Sequence, residues 1–213
     1  MNNPTLIASL CADLTPVKRA NVERQIAMAG LIGGGVSLAA LMSTLGIQPG
    51  LSTITNMTPL AIKSGFAISL AAVGFAALLK LARPDGRPTN LLQKVAAIFV
   101  LLASIALVQG GHVNNAEDAK LLLGASWQSC SLRIAALSVP VTAMIGWAVR
   151  RQAPVHLRRA GAAVGMTAGA AAAAIYALAC TESSSAFVLV WYSAGIALST
   201  AIGALLGPRL LRW

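Results

Sequence analysis

Two cysteines are the residues of this chain whose type and spacing could do chemistry. Cys130 and Cys180 lie about fifty residues apart, each beside a long apolar segment, so antiparallel packing of those segments would bring the thiols together. Such a pair can form a disulfide when its Cα atoms are roughly 4.4–6.8 Å apart. It also suits a soft metal ion such as Cu(I), with His112 or Met57 as additional ligands. Alternatively, both cysteines are small packing residues at a helix seam.

The composition places this pair in a membrane protein. Of the 213 residues, 57% are hydrophobic and 10% are charged, whereas soluble domains carry about 25% charged residues. The apolar residues form long runs, which predict transmembrane helices. The net charge of +10 does not indicate nucleic-acid binding, because the basic residues lie at the ends of the apolar runs. We therefore expect no direct nucleic-acid partner.

Six apolar segments predict an all-α polytopic membrane protein, since about 20 helical residues cross a hydrocarbon core of roughly 30 Å. The predicted transmembrane helices lie near residues 25–47, 60–82, 91–111, 132–149, 160–180 and 187–207. Of the 16 Lys and Arg residues, three (Lys63, Lys120 and Arg133) lie on one side of this arrangement and 13 on the other. The positive-inside rule then makes both termini cytoplasmic. Residues 1–24 form a cytoplasmic tail, and residues 25–213 form the transmembrane bundle.

The tail is predicted to contain a short amphipathic helix. Asn3 and Pro4 are typical of a helix start, and Pro16 disfavours helix at the residue before it. Apolar residues recur between them at helical spacing, namely Leu6, Ile7, Leu10 and Leu14. This stripe could lie on the membrane surface or dock into a groove of a protein partner, and the pattern leaves both open. Cys11 lies on the apolar side, where a packing role is expected.

The fifth predicted helix has an unusual packing face. Gly161, Gly165 and Gly169 recur every four residues, a spacing that lets helix backbones approach closely. We therefore expect this helix to lie inside the bundle.

Other chemistry is sparse in the predicted spans. They contain no Asp or Glu, and Lys63 is placed near a helix end, where its ammonium can reach the interface. Ion-coupled transporters normally carry intramembrane ionisable groups. No Ser/His/Asp set or phosphate loop is present, so the sequence does not indicate an enzyme.

Several motifs resemble those of the NrsF family, whose members are six-helix inner-membrane anti-sigma factors that restrain an extracytoplasmic-function sigma factor. These motifs are residues 127–130 (WQSC), 137–140 (LSVP), 150–154 (RRQAP), 176–180 (YALAC), 191–196 (WYSAGI) and 206–213 (LGPRLLRW). The start of the chain, from Leu10 to Val17, is similar as well, so the resemblance covers nearly the whole chain.

The resemblance implies that the tail holds a sigma factor at the bacterial inner membrane. An apolar helix of the tail would lie in a groove of the sigma factor. Membrane lipid around the bundle is the other expected partner. The residues expected to contact the sigma factor are Leu6, Leu10, Leu14 and Val17, with Arg19 at the rim. Whether the bundle forms a homo-oligomer is left open by the sequence.

The resemblance further implies that Cys130 and Cys180 sense a heavy metal, such as copper, or oxidative stress, with no obligatory cofactor. Closure of the thiol pair would draw helices four and five together, and packing around the three glycines would carry the shift to helix one. Two alternatives remain at this point. The chain could be a small transporter or channel for a soft metal, or an assembly subunit whose tail docks another complex.

Overall fold

The computed structural model describes residues 7–8, 11–12, 19–48, 54–82, 90–110 and 127–212, and it forms no strand within them. The six long helices of this part of the chain are α1 (Arg19–Thr44), α2 (Ile54–Leu81), α3 (Leu91–Gly110), α4 (Trp127–Arg150), α5 (Leu157–Tyr176) and α6 (Ser185–Leu210). A π-helical segment, Val188–Tyr192, interrupts the regular geometry near the start of α6. The prediction of an all-α fold is confirmed for these residues.

Five of these helices are long and apolar enough to span a membrane. The candidate spans are Asn21–Thr44, Met57–Leu81, Leu91–Val108, Ser129–Arg150 and Ser185–Leu210. Helix α5 is not among them, because it is built mainly from alanine and glycine and has two arginines at its start. The prediction of membrane-length apolar helices is thus confirmed for five helices. The sixth span and the cytoplasmic position of the termini stay predictions.

Helix α5 nevertheless lies at the centre of the bundle. Twelve of its 20 residues are buried, and it contacts α6, α2, α4 and α1. The prediction that this helix lies inside the bundle is confirmed. Helix α3 is the opposite case, because its main contacts are with α2 and with the start of α6. Five of its large apolar side chains, among them Leu92 and Val108, are exposed, and only Leu102 is fully buried.

Four helix boundaries differ from the sequence prediction by four or more residues, and one of them is the start of α4 at Trp127 instead of near 132. Helix α1 begins at Arg19 instead of near 25, and α2 begins at Ile54 instead of near 60. Helix α5 ends at Tyr176 instead of near 180, and its chain tightens into a turn in which the amides of Ala179 and Cys180 both donate to the Tyr176 carbonyl. Hydropathy finds the centre of an apolar segment, but capping and turn contacts decide where the helix ends.

The core divides into two apolar clusters along the bundle axis. The first contains both Cys130 and Cys180, together with Phe66, Tyr176 and Tyr192. The second lies toward the opposite end and is formed by aliphatic residues of α1, α2, α4 and α5, with Leu211 after α6. The buried thiols and the buried tyrosines therefore lie in the same cluster, whereas the second cluster contains neither.

Candidate functional site

The structure brings the two predicted sensor cysteines into one buried cluster. Cys130 lies in the first turn of α4 and is 0% exposed, while Cys180 follows the turn after α5 and is 2% exposed. Both are free thiols, and they lie close enough to interact electrostatically. Cys180 was predicted to end helix five, but the earlier end of α5 at Tyr176 leaves its carbonyl outside the helical hydrogen-bond pattern.

A lysine that the sequence analysis placed near a membrane interface lies inside this cluster. Lys63 is 3% exposed, and its Nζ donates a 2.8 Å hydrogen bond to the Cys180 carbonyl oxygen. The interfacial placement was wrong because α2 begins at Ile54, which puts Lys63 in the third turn of the helix. Its ammonium also interacts electrostatically with both thiols and with Glu182. Ionisable side chains inside membrane helices commonly mark functional sites.

Two tyrosines complete the wall around the thiols. Tyr176, the last residue of α5, and Tyr192, the last residue of the π-helical segment, are buried with ring centroids 6.0 Å apart. Both hydroxyls lie within electrostatic reach of Cys130 and Cys180. Sequence reasoning did not single out either tyrosine as part of the site. Their positions in the motifs 176–180 and 191–196 were the available signal.

The π-helical segment joins α6 to the start of α4. Ser131, the neighbour of Cys130, donates a 2.8 Å hydrogen bond from its Oγ to the Trp191 carbonyl oxygen. A π turn shifts the local hydrogen-bond register, and such turns are frequent at functional sites. The chain around Cys130 is thereby tied to the segment that carries Tyr192.

The chain before Cys180 is also tied to the end of α1. The backbone amide of Gln48, just after α1, donates a 3.0 Å hydrogen bond to the Leu178 carbonyl oxygen. Together with the Lys63 bond, this gives the short stretch 177–180 direct links to two other elements. A displacement of Cys180 would therefore act on α1 and α2 as well as on α4.

The described residues contain no group of three or more His, Cys, Asp or Glu side chains that could hold a metal ion. His112, the tentative third ligand, lies outside the described residues. Met57, the other candidate, is 52% exposed near the start of α2. The donor set that the structure shows is thus the pair of thiols, which suits a soft cation or disulfide formation.

Most of the predicted sigma-contacting residues lie outside the described part of the chain. This applies to Leu6, Leu10, Leu14 and Val17, while Arg19 is the first residue of α1. Within the tail, Ile7, Ala8 and Cys11 are helical, and the amide of Ala12 donates a 3.0 Å hydrogen bond to the Ala8 carbonyl oxygen. Ile7 and Cys11 are exposed. The packing role expected for Cys11 is therefore not seen within this chain.

The three glycines of α5 form a close seam with α6. A Cβ added at Gly161 would meet the Gly203 carbonyl oxygen, and one added at Gly169 would lie 2.8 Å from the Ser199 Cβ. The facing residues on α6 are themselves small and recur every four positions, at Ser199, Gly203 and Gly207. The seam joins α5 to α6, and the role of these glycines in carrying a shift to helix one stays a prediction.

Helix α1 is instead joined closely to α4. A Cβ added at Gly33 would lie 2.7 Å from the Val141 Cα, so the two backbones are nearly in contact. One turn further on, the buried Ser37 Oγ donates a 2.7 Å hydrogen bond to the Leu137 carbonyl oxygen. Because Cys130 opens α4, this contact connects the thiol site with the helix that follows the tail.

The described residues thus form a bundle with five membrane-length apolar helices, and both cysteines are buried in one cluster of its core. Residues 10–213 match the family described as NrsF, negative regulator of sigma F. The chain belongs to this family, and it is a regulatory protein of the anti-sigma factor type rather than an enzyme.

Two relatives match over the full length of both chains. The chain is 35% identical to the probable anti-sigma-F factor NrsF of Azospira oryzae and 32% identical to the anti-sigma-F factor NrsF of Caulobacter vibrioides. No solved structure matches.

Proposed function

We propose that this chain is an inner-membrane anti-sigma factor whose N-terminal tail holds an extracytoplasmic-function sigma factor and whose Cys130–Cys180 pair controls its release. The names of the two relatives support the sigma factor as partner. The distribution of basic residues supports cytoplasmic termini. In this orientation the tail faces the sigma factor and the thiols lie near the outer surface, where disulfides can persist.

The observation that carries the sensing role is the burial of both thiols in one cluster with Lys63. Two buried thiols in one cluster are placed to react with each other or to bind one ion together. The cluster also joins several elements through hydrogen bonds, including the one from Lys63 to the Cys180 carbonyl. A change of bonding at the sulfur atoms would therefore act on several helices together.

Two chemical signals fit this pair. A peroxide would oxidise it: two S–H bonds break, one S–S bond forms, and the peroxide takes up two electrons and two protons as its O–O bond breaks to give two waters. A soft cation such as Cu(I) would instead displace the two thiol protons to solvent and bind both sulfur atoms. Either event pulls Cys180 toward the first turn of α4.

The displacement reaches the tail through α1. With 26 residues, α1 is about 39 Å long at 1.5 Å per residue, so the signal crosses the whole bundle. The contacts of Gly33 and Ser37 with α4, and the bond from Gln48 to Leu178, are the links along this route. A shift from 99% bound to 99% free requires about 5.5 kcal/mol of differential affinity, more than the roughly 1–3 kcal/mol of typical coupling. Covalent or metal–thiolate bonding supplies a free energy of this size, whereas an exposed ion pair does not.

Co-purification tests the holding role. The full chain is solubilised from its own cells beside Leu10→Asp and the matched Ala12→Asp variant, in which the charge lies at an exposed position of the tail. We expect a sigma factor with the wild type and Ala12→Asp, and its loss with Leu10→Asp. Recovery of no sigma factor, or of an unrelated complex, would contradict the proposal and favour the transporter or assembly alternatives.

The sensing role is tested on the complex itself. Treatment with hydrogen peroxide, or separately with Cu(I), should release the sigma factor from the wild type and from Cys11→Ser. We expect Cys130→Ser and Cys180→Ser to bind the sigma factor but to retain it after treatment. Undiminished release from Cys130→Ser would show that the buried pair is not the sensor.

A further inference from the structure

A second site lies at the end of the bundle opposite the thiols. A groove of about 420 Å³ opens there between α1 and α4. Its mouth is polar and cationic, with Arg24 and Gln25 from α1 facing Trp147 and Arg151 from α4. The positive-inside rule explains why arginines lie at this end, but it does not explain why two of them line one groove from different segments of the chain.

One of the two arginines is held in place before any ligand arrives. The guanidinium carbon of Arg151 lies 3.8 Å from the centroid of the Trp147 ring, a stacking contact that limits its rotamers. Next to it, Gln152 Nε2 donates a 3.3 Å hydrogen bond to Gln25 Oε1, which links the two helices at this end. Arg24 completes the mouth from the α1 side.

The floor of the groove is apolar. Below the arginines it is lined by Met28, Ile32 and Met144, and about half of the Met28 and Ile32 side chains is exposed on the flank of a membrane-length helix. Eight residues separate Arg24 from Ile32, which is about 12 Å along the helix axis. The groove therefore changes from cationic to apolar over the depth at which a phospholipid changes from headgroup to acyl chain.

We propose that this groove binds one anionic phospholipid of the inner leaflet, with its phosphate between Arg24 and Arg151 and an acyl chain along Met28 and Ile32. Guanidinium groups bind phosphate oxygens in a planar, bidentate geometry. Basic grooves between membrane helices on the cytoplasmic side are suited to anionic headgroups. The proposal rests on the orientation given under the proposed function. A soluble acidic segment would match the arginines but not the apolar floor, which extends into the span.

Such a lipid would act on the helix pair that connects the thiol site to the tail. It bridges α1 and α4 near the first turns of α1, while Gly33 and Ser37 join the same two helices closer to the middle. Occupancy of the groove would hold the base of the tail in a fixed position relative to α4.

Native mass spectrometry of the full chain in detergent tests the site with phosphatidylglycerol and phosphatidylcholine. The site variant Arg24→Gln/Arg151→Gln is compared with Arg209→Gln/Arg212→Gln, which removes the same charge from exposed positions at the same end. We expect the site variant to bind phosphatidylglycerol about tenfold more weakly, because a hydrogen bond to a charged group contributes about that factor. The control variant and Arg24→Lys/Arg151→Lys should bind it more tightly than the site variant does.

Three results would overturn the proposal. In the first, the site variant binds phosphatidylglycerol as tightly as the wild type does. In the second, the wild type binds phosphatidylcholine as tightly as phosphatidylglycerol. In the third, soluble glycerol phosphate displaces the lipid completely, which would indicate a free-anion site. Unfolding temperatures of the two Gln variants check that the arginines are not needed for folding. The assay contains no sigma factor, so its outcome is independent of the proposed function. If the site variant binds phosphatidylglycerol normally but no longer co-purifies with the sigma factor, the groove is a protein-docking site instead.

Discussion

The Lys63 ammonium donates a 2.8 Å hydrogen bond to the backbone carbonyl oxygen of Cys180, and both residues are buried. The Cys180 carbonyl lies past the end of α5 at Tyr176, so no later amide of that helix pairs with it. A helix end leaves carbonyls that need other partners, and a buried lysine needs an acceptor. Each residue thus satisfies the polar requirement of the other, at the position where the proposed sensor thiols lie.

Replacement of this lysine should weaken the end of the bundle that holds the thiols. Lys63→Met keeps much of the side-chain volume but leaves the Cys180 carbonyl without its donor, which costs about 1–3 kcal/mol for a buried group. We expect a lower unfolding temperature in detergent for Lys63→Met than for Lys94→Met, because Lys94 is exposed on α3. Equal unfolding temperatures would mean that the bond does not stabilise the fold.

The three thiols should differ widely in reactivity in the native protein. Cys11 is exposed, whereas Cys130 and Cys180 are buried. We expect a maleimide to label one thiol per chain quickly and the other two slowly, as measured by intact mass. Cys11→Ser should abolish the fast reaction, and unfolding should make all remaining thiols reactive. Fast labelling of two or more thiols in the folded wild type would contradict the burial of the pair.

The close contact of α1 with α4 should matter more for signalling than for sigma-factor binding. Gly33→Ala places a methyl group 2.7 Å from the Val141 Cα, and such overpacking typically costs about 1–3 kcal/mol. We expect Gly33→Ala to bind the sigma factor but to release less of it after peroxide treatment. Gly34→Ala is the matched control, because its added Cβ meets open space. If both variants release the sigma factor as the wild type does, the signal from the thiols to the tail does not pass through this contact.

The seam between α5 and α6 should be sensitive to a single methyl group. A Cβ at Gly165 would meet the Ser199 carbonyl oxygen, so we expect Gly165→Ala to lower the free energy of unfolding by about 1–3 kcal/mol. Gly146→Ala, whose Cβ meets nothing within 4 Å, should be neutral or more stable by up to about 1 kcal/mol, because alanine favours helix. Unfolding curves in detergent compare the free energies of unfolding of the two variants with that of the wild type. A Gly165→Ala protein as stable as the wild type would argue against a close seam between α5 and α6.

The sequence predicted the helices and the end of the bundle at which Cys130 and Cys180 lie, because long apolar runs and their flanking charges are local signals. It did not predict that Lys63 is buried, since that depends on where α2 begins. It also missed the α6 half of the glycine seam, although Ser199, Gly203 and Gly207 repeat every four residues. Hydropathy reports how apolar a segment is, but it does not report which faces of two helices pair.

The central position of α5 has a consequence for how the chain is made. The helix is not apolar enough to count as a membrane span by itself, yet most of it is covered by its neighbours. We therefore expect the translocon to pass α5 into the bilayer together with α6, as a hairpin whose two helices already pack through their small residues. In a glycosylation-mapping assay, the segment 157–176 alone should fail to integrate, whereas 157–210 should integrate as a pair. Efficient integration of the isolated segment would mean that α5 enters the membrane before its partner is synthesised.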